Sequence, residues 1–97
     1  MLFAMIAKDK PGSGEQRTAV RPVHLDHLNS LGDKLVLAGA LLSEAGAPEG
    51  SLMVIEAESI EAATASFTAD PFIAAGIFAS YEIKPWRLAI NNMTKKD

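Results

Sequence analysis

Apolar residues open the chain without a break from Leu2 to Ala7 and fill both alternating sets: Leu2, Ala4 and Ile6 on one side, Phe3, Met5 and Ala7 on the other. A strand with no wet side belongs inside a sheet that is covered on both faces. Asp9-Lys10-Pro11-Gly12-Ser13-Gly14 breaks the pattern with turn-forming residues. A helical period follows between Glu15 and Leu31, with Pro22 either near its start or after a preliminary turn, and Gly32 closing it. Lys34 to Leu42 reads as a second strand interrupted by Gly39. Ser43 to Gly50 reads as a turn region, and Ser51 to Ala57 as a third strand that forms a hairpin with the second.

Ser59 is placed to cap a second helix carrying Ile60, Ala63 and Phe67 at helical spacing, and Asp70-Pro71 repeats the start signal for a very short helix that Gly76 ends. From Ile77 to Lys84 the set Ile77, Ala79, Tyr81, Ile83 alternates with Phe78, Ser80, Glu82, Lys84, a fourth strand that Pro85 and Trp86 terminate or bend. The order β-α-β-β-α-β predicts an α+β fold of the ferredoxin-like plan, both helices lying on one face of a four-stranded antiparallel sheet. The other face then carries one apolar set of the first strand. At roughly 25 cal/mol per Å² of apolar surface, exposing a few hundred Å² forfeits several kcal/mol, comparable to the whole stability of a small domain. A homodimer joined through the open sheet face is the expected remedy.

Length and composition agree with that picture. Ninety-seven residues without a linker predict one domain over 1–97, its core spanning about residues 1–88 before a short polar tail with Lys95 and Lys96. Hydrophobic residues make up 48% of the chain, a large share for a body that keeps much of its surface exposed. A net charge of −3 supplies no field for binding nucleic acid. The absence of cysteine removes disulfides, thiolate nucleophiles and the usual structural zinc sites. The apolar opening stops at Lys8, too soon to span a membrane, and it lacks the pattern of a secretion signal, so the cytoplasm is the expected location. The glycines form neither a phosphate-binding loop nor a dinucleotide fingerprint, and Ser43 has no nucleophile-elbow context, so neither a nucleotide cofactor nor serine catalysis is expected.

Chemistry therefore rests on few side chains. On a helix turning about 100° per residue, His24 lies between Leu28 and Leu31, with Val20 beside them, so its ring points inward. A histidine there either bonds a backbone carbonyl as a core residue or serves a function. Asp70 suits the role of a carboxylate that orients an imidazole, or that of a plain N-cap; one carboxylate has oxygens enough for both. His27 and Asp26 diverge from His24 on the wheel, so the His-Leu-Asp-His stretch does not gather three ligands on one metal, and no metal is expected. Arg21 borders the histidine face and is a candidate for holding an anionic substrate group, against ordinary solvation. Trp86 is a candidate pocket wall, against a role in sealing the dimer edge.

These residues resemble a known family. Ala7-Lys8-Asp9-Lys10-Pro11, Arg21-Pro22-Val23-His24-Leu25, Leu37-Ala38-Gly39, Gly50-Ser51, Ala69-Asp70-Pro71-Phe72 with Ala75-Gly76, and Lys84-Pro85-Trp86 stand in the order and spacing of the YciI-like (YCII-related) family of small bacterial proteins, from Met1 to about Leu88. The resemblance implies a dimeric α+β barrel whose two sheets face each other, similar to muconolactone isomerase, and an active site pairing a histidine with an aspartate, here His24 and Asp70. Ala40 follows Gly39 where relatives commonly carry proline, a departure that bears on the bend near the pocket. The family is mostly uncharacterised; dehydrochlorination in aromatic degradation is assigned to a relative, and that substrate does not transfer on sequence.

Two functions compete. The first is a cofactor-free enzyme in which His24, oriented by Asp70, moves a proton on a small organic acid or hydroxylated ring, an isomerase or lyase. The second is a non-catalytic dimer that binds a metabolite or recruits a partner protein.

Overall fold

The computed structural model describes residues 1–93, so the expected solvation of Lys95 and Lys96 lies outside the described residues. Its elements are β1 (Leu2–Asp9), α1 (Gly14–Ser30), a 3-10 turn (Gly32–Lys34), β2 (Leu35–Leu42), β3 (Pro48–Glu56), α2 (Ile60–Thr68), α3 (Pro71–Ala74) and β4 (Phe78–Trp86). The strands form one antiparallel sheet in the order β2-β3-β1-β4, the ferredoxin-like arrangement.

Register decides which apolar set of β1 meets the helices. Phe3, Met5 and Ala7 pair with Ile55, Met53 and Ser51 of β3, and this row is buried together with Leu28 of α1 and Ala63 and Phe67 of α2. Leu2, Ala4 and Ile6 therefore face the other way, and Ile6 is 48% exposed. That open face continues through Leu52 of β3 and Trp86 of β4, which pairs with Leu2.

Several boundaries differ from the sequence expectation, each for a local reason. α1 starts at Gly14 and runs straight through Pro22. The missing N–H of Pro22 deprives the carbonyl of Thr18, an exposed residue whose carbonyl water can serve. The turn after β2 shrinks to Ser43–Ala47, because Ser43 N–H bonds the Ala47 carbonyl, Ser43 Oγ accepts from Ala47 N–H and Gly46 takes a positive φ. β3 consequently begins at Pro48, opposite Leu42. β4 does not stop at Lys84; it carries Pro85 opposite Phe3 and Trp86 opposite Leu2, since an edge strand tolerates a missing donor. Ser59 caps α2 by accepting from Ala62 N–H at 3.1 Å, and Gly32 at φ +60 ends α1, both as expected.

Candidate functional site

His24 comes from the middle of α1, on the face that also carries Val20, Leu28 and Leu31 toward the core. Asp70 begins α3, where its Oδ1 accepts the N–H of Phe72 at 2.9 Å. The same carboxylate receives His24: Nδ1 lies 2.8 Å from Oδ1 and 2.8 Å from Oδ2. Asp70 is only 1% exposed. An ionised carboxylate only accepts hydrogen bonds, so this contact places the imidazole proton on Nδ1 and leaves the lone pair on Nε2. Nε2 makes no hydrogen bond among the described residues. The ring is fixed in its plane by Phe72, which stacks on it with centroids 3.8 Å apart and planes 4° from parallel; Phe78 in turn meets Phe72 edge-on. Asp70-Pro71-Phe72 thus caps its own helix, binds the imidazole and supports its face.

A cleft of about 350 Å³ lies against this ring, lined by His24 and by the sheet beneath α1. The sheet leaves this space because small side chains coincide there: Ala7 of β1, Ser51 of β3 and Ala40 of β2 are directly paired neighbours, with Ala38 and Gly39 adjoining. Ala40 belongs to the cleft lining.

Arg17, one heptad before His24 on α1, completes the lining and was not legible as a site residue once Pro22 had put the start of the helix in doubt. It is buried, with Nη2 donating to the Gly50 carbonyl at 2.7 Å and to Ser51 Oγ at 3.0 Å, and its guanidinium carbon 5.0 Å from the centre of the Phe72 ring. The spacing Arg17, Val20, His24, Leu28, Leu31 was the available signal. Asp9 stands behind it, Oδ2 3.5 Å from Nε, and burial pushes the Asp9 carboxyl above the ordinary aspartate range despite the opposing Arg17 charge.

The remaining candidates separate. Arg21 is exposed, lines the cleft and forms no ion pair among the described residues. Trp86 does not reach the cleft: its pairing with Leu2 puts it on the opposite face of the sheet. His27 Nε2 lies 3.0 Å from the Ser66 carbonyl, a bond that ties α1 to α2. Among the described residues no three His, Asp or Glu side chains gather as a metal site, and no helix is long and apolar enough to cross a membrane.

The family model of the YCII-related domain matches residues 1–87. The chain belongs to the YCII-related family. It is 40% identical over 95 residues to the Protein YciI of Escherichia coli O6:H1, a match covering 90% of this chain and 97% of that relative. An uncharacterised protein of Haemophilus influenzae is 33% identical over 96 residues, covering 90% and 97%. Among solved structures, the 5-chloro-2-hydroxyhydroquinone dehydrochlorinase (TftG) of Burkholderia phenoliruptrix AC1100, in complex with 2,5-dihydroxybenzoquinone, superposes with a TM-score of 0.86 at 32% identity, covering 92% of this chain and 96% of that one. A putative antibiotic biosynthesis monooxygenase of Bacteroides thetaiotaomicron shares the fold at a TM-score of 0.61 and 16% identity, covering 99% and 95%. That second likeness extends this YCII-related chain's kinship to fold alone.

Proposed function

We propose that this YCII-related protein is a cofactor-independent enzyme that moves a proton on a small organic acid or a hydroxylated aromatic ring, giving isomerisation or elimination. The observation that carries this reading is the His24 imidazole, held through Nδ1 by both oxygens of the buried Asp70 carboxylate, with Nε2 unpaired among the described residues beside a cleft. Nε2 takes a proton from an acidic O–H or C–H of the substrate, and the imidazolium that results is stabilised by Asp70. The electron pair left on the substrate either expels a leaving group, which departs with its bonding electrons, or collects the proton back from Nε2 at another atom. Arg21 at the cleft holds an anionic group of the substrate.

The dehydrochlorinase of Burkholderia supports this choice, being 32% identical and closely superposable, with a hydroxylated quinone in its complex. The protein works as a homodimer joined through the open sheet face, where Trp86 seals the apolar surface.

Turnover of a panel of hydroxylated aromatics and small organic acids by the full chain and by His24→Ala tests the reading. The expected result is loss of about 10²–10⁴-fold in rate with the fold intact. Equal activity in the variant overturns it. Altered affinity with nothing consumed by either protein assigns the cleft to metabolite binding instead.

A further inference from the structure

Ser51 lies in β3 on the face toward α1, 3% exposed, and lines the same cleft as His24. Its hydroxyl accepts the Arg17 Nη2–H at 3.0 Å and donates to nothing among the described residues. A hydroxyl that accepts from a cation has its own proton polarised and turned away from that cation, so the unspent donor is left for the cleft.

The charge behind it is weakly neutralised. Among the described residues Arg17 Nη1 is buried without a partner, the Asp9 carboxylate reaches Nε only at 3.5 Å, and Asp9 Oδ1 is itself unpaired. Burial also favours the neutral form of Asp9, which leaves more of the guanidinium field directed at Ser51. Among the described residues the cleft is lined by Arg17 and Arg21 and by no carboxylate, although the chain as a whole carries −3. A cationic, partly apolar pocket with a free hydroxyl donor suits an oxyanion.

We infer that Ser51 is the oxygen-binding residue of this cleft: its Oγ–H donates to a negatively charged oxygen of the substrate, a phenolate, enolate or carboxylate, with Arg17 as the positioning residue that holds and polarises the hydroxyl. The inference rests on the proposed function for the cleft being the substrate site, and it deepens that reading by naming the substrate class. Charge released when His24 removes a proton spreads onto the substrate's oxygens, and a preorganised donor there stabilises it as it develops.

The test is a titration of the full chain with 4-nitrophenol, which ionises near neutrality and whose visible phenolate band shifts to shorter wavelength when its oxygen accepts a hydrogen bond. Wild type is expected to bind the phenolate with such a shift. Ser51→Ala should weaken binding about 10- to 100-fold and abolish most of the shift, with the fold intact and the melting temperature lowered modestly, since one buried Arg17 N–H loses its acceptor while the bond to the Gly50 carbonyl is kept. Ser51→Thr, which retains a hydroxyl, should recover the band position. Unchanged affinity in Ser51→Ala overturns the inference, as does a wild type that fails to bind the phenolate. A fall in melting temperature with the bound band unmoved also overturns it, leaving Ser51 as an acceptor for Arg17 alone. No turnover is involved, so a His24→Ala protein with full activity would end the enzyme reading without touching this result.

Discussion

Asp70 performs two tasks with one carboxylate, and the two can be separated by a single substitution. Its Oδ1 caps α3 through Phe72 N–H, while both oxygens accept from His24 Nδ1. Asp70→Asn keeps an oxygen for the cap but presents an N–H₂ to the imidazole, favouring the tautomer with its proton on Nε2. We expect rates to fall about 10²–10⁴-fold, as for loss of the base, with only a small shift in thermal melting; a melt lowered sharply with turnover intact would make the pair structural. At Asp9 the prediction concerns pH. Its carboxyl titrates above the ordinary 3.8 because of burial, with the Glu49 charge adding and Arg17 opposing. A raised value in the folded state means stability that is whole below about 3.8 and is lost as pH rises through the folded value. Asp9→Asn, fixed in the neutral form, should therefore melt above wild type near neutral pH, the gap closing in acid; thermal melts across that range decide it. The sequence displayed His24 and Asp70 through helical phase and capping chemistry, but their 2.8 Å contact joins residues 46 positions apart, a distance only the fold sets. Arg17 escaped because its role depends on Gly50 and Ser51, likewise remote in sequence.

Elements follow their periods closely where both local propensity and packing agree, and depart where an edge or exposed side forgives a breaker. Pro22 reads as near a helix start or after a preliminary turn and Pro85 as ending or bending a strand, yet α1 and β4 pass through them, one past an exposed carbonyl and the other at a sheet edge. The cleft was legible only in part: small residues at Ala7, Ala40 and Ser51 stand out individually, but it is the register β1–β3–β2 that lines them up. Gly50, two residues into a strand that sequence began at Ser51, carries a stricter demand. A Cβ added there would collide with the Ala7 carbonyl oxygen and press on Leu41, whereas one added at Gly39 meets nothing within 4 Å. Gly50→Ala is expected to cost about 1–3 kcal/mol by urea unfolding, since the backbone of β1 must move. Gly39→Ala should be nearly neutral for stability and leave the cleft as it is, because Gly39 pairs with Leu52 and its added methyl lies on the sheet face away from His24. Equal midpoints for the two variants would mean that β1 and β3 are less closely held than their seven-residue register implies.

At the scale of the whole molecule the open face sets the problem. Leu2, Ile6, Leu52 and Trp86 form a surface that one chain leaves wet, with Ile6 48% and Trp86 39% exposed, on the side of the sheet away from His24. A second copy presenting the same face would remove both surfaces from water, at about 25 cal/mol per Å², and a two-fold axis through the sheets satisfies both chains at once. Ile6→Lys tests this with little harm to the chain itself, because Ile6 stands opposite Glu82 on β4, so an added ammonium finds a neighbouring carboxylate in the monomer. In a dimer the same ammonium, even beside Glu82, loses its hydration between the two sheets and disfavours association. Sedimentation is expected to show wild type near twice 10.3 kDa and the variant near 10.3 kDa; a wild type that sediments as a monomer removes the dimer, and with it the explanation for an apolar outer face. The cleft adds a further distinction, since its lining comes from α1, β2, β3 and α3 of one chain. A monomeric Ile6→Lys protein that still binds 4-nitrophenolate makes the dimer a matter of stability. One that has lost binding while keeping its fold makes the partner's approach part of the site, and Trp86, on the face the partner would cover, is then the first residue to replace.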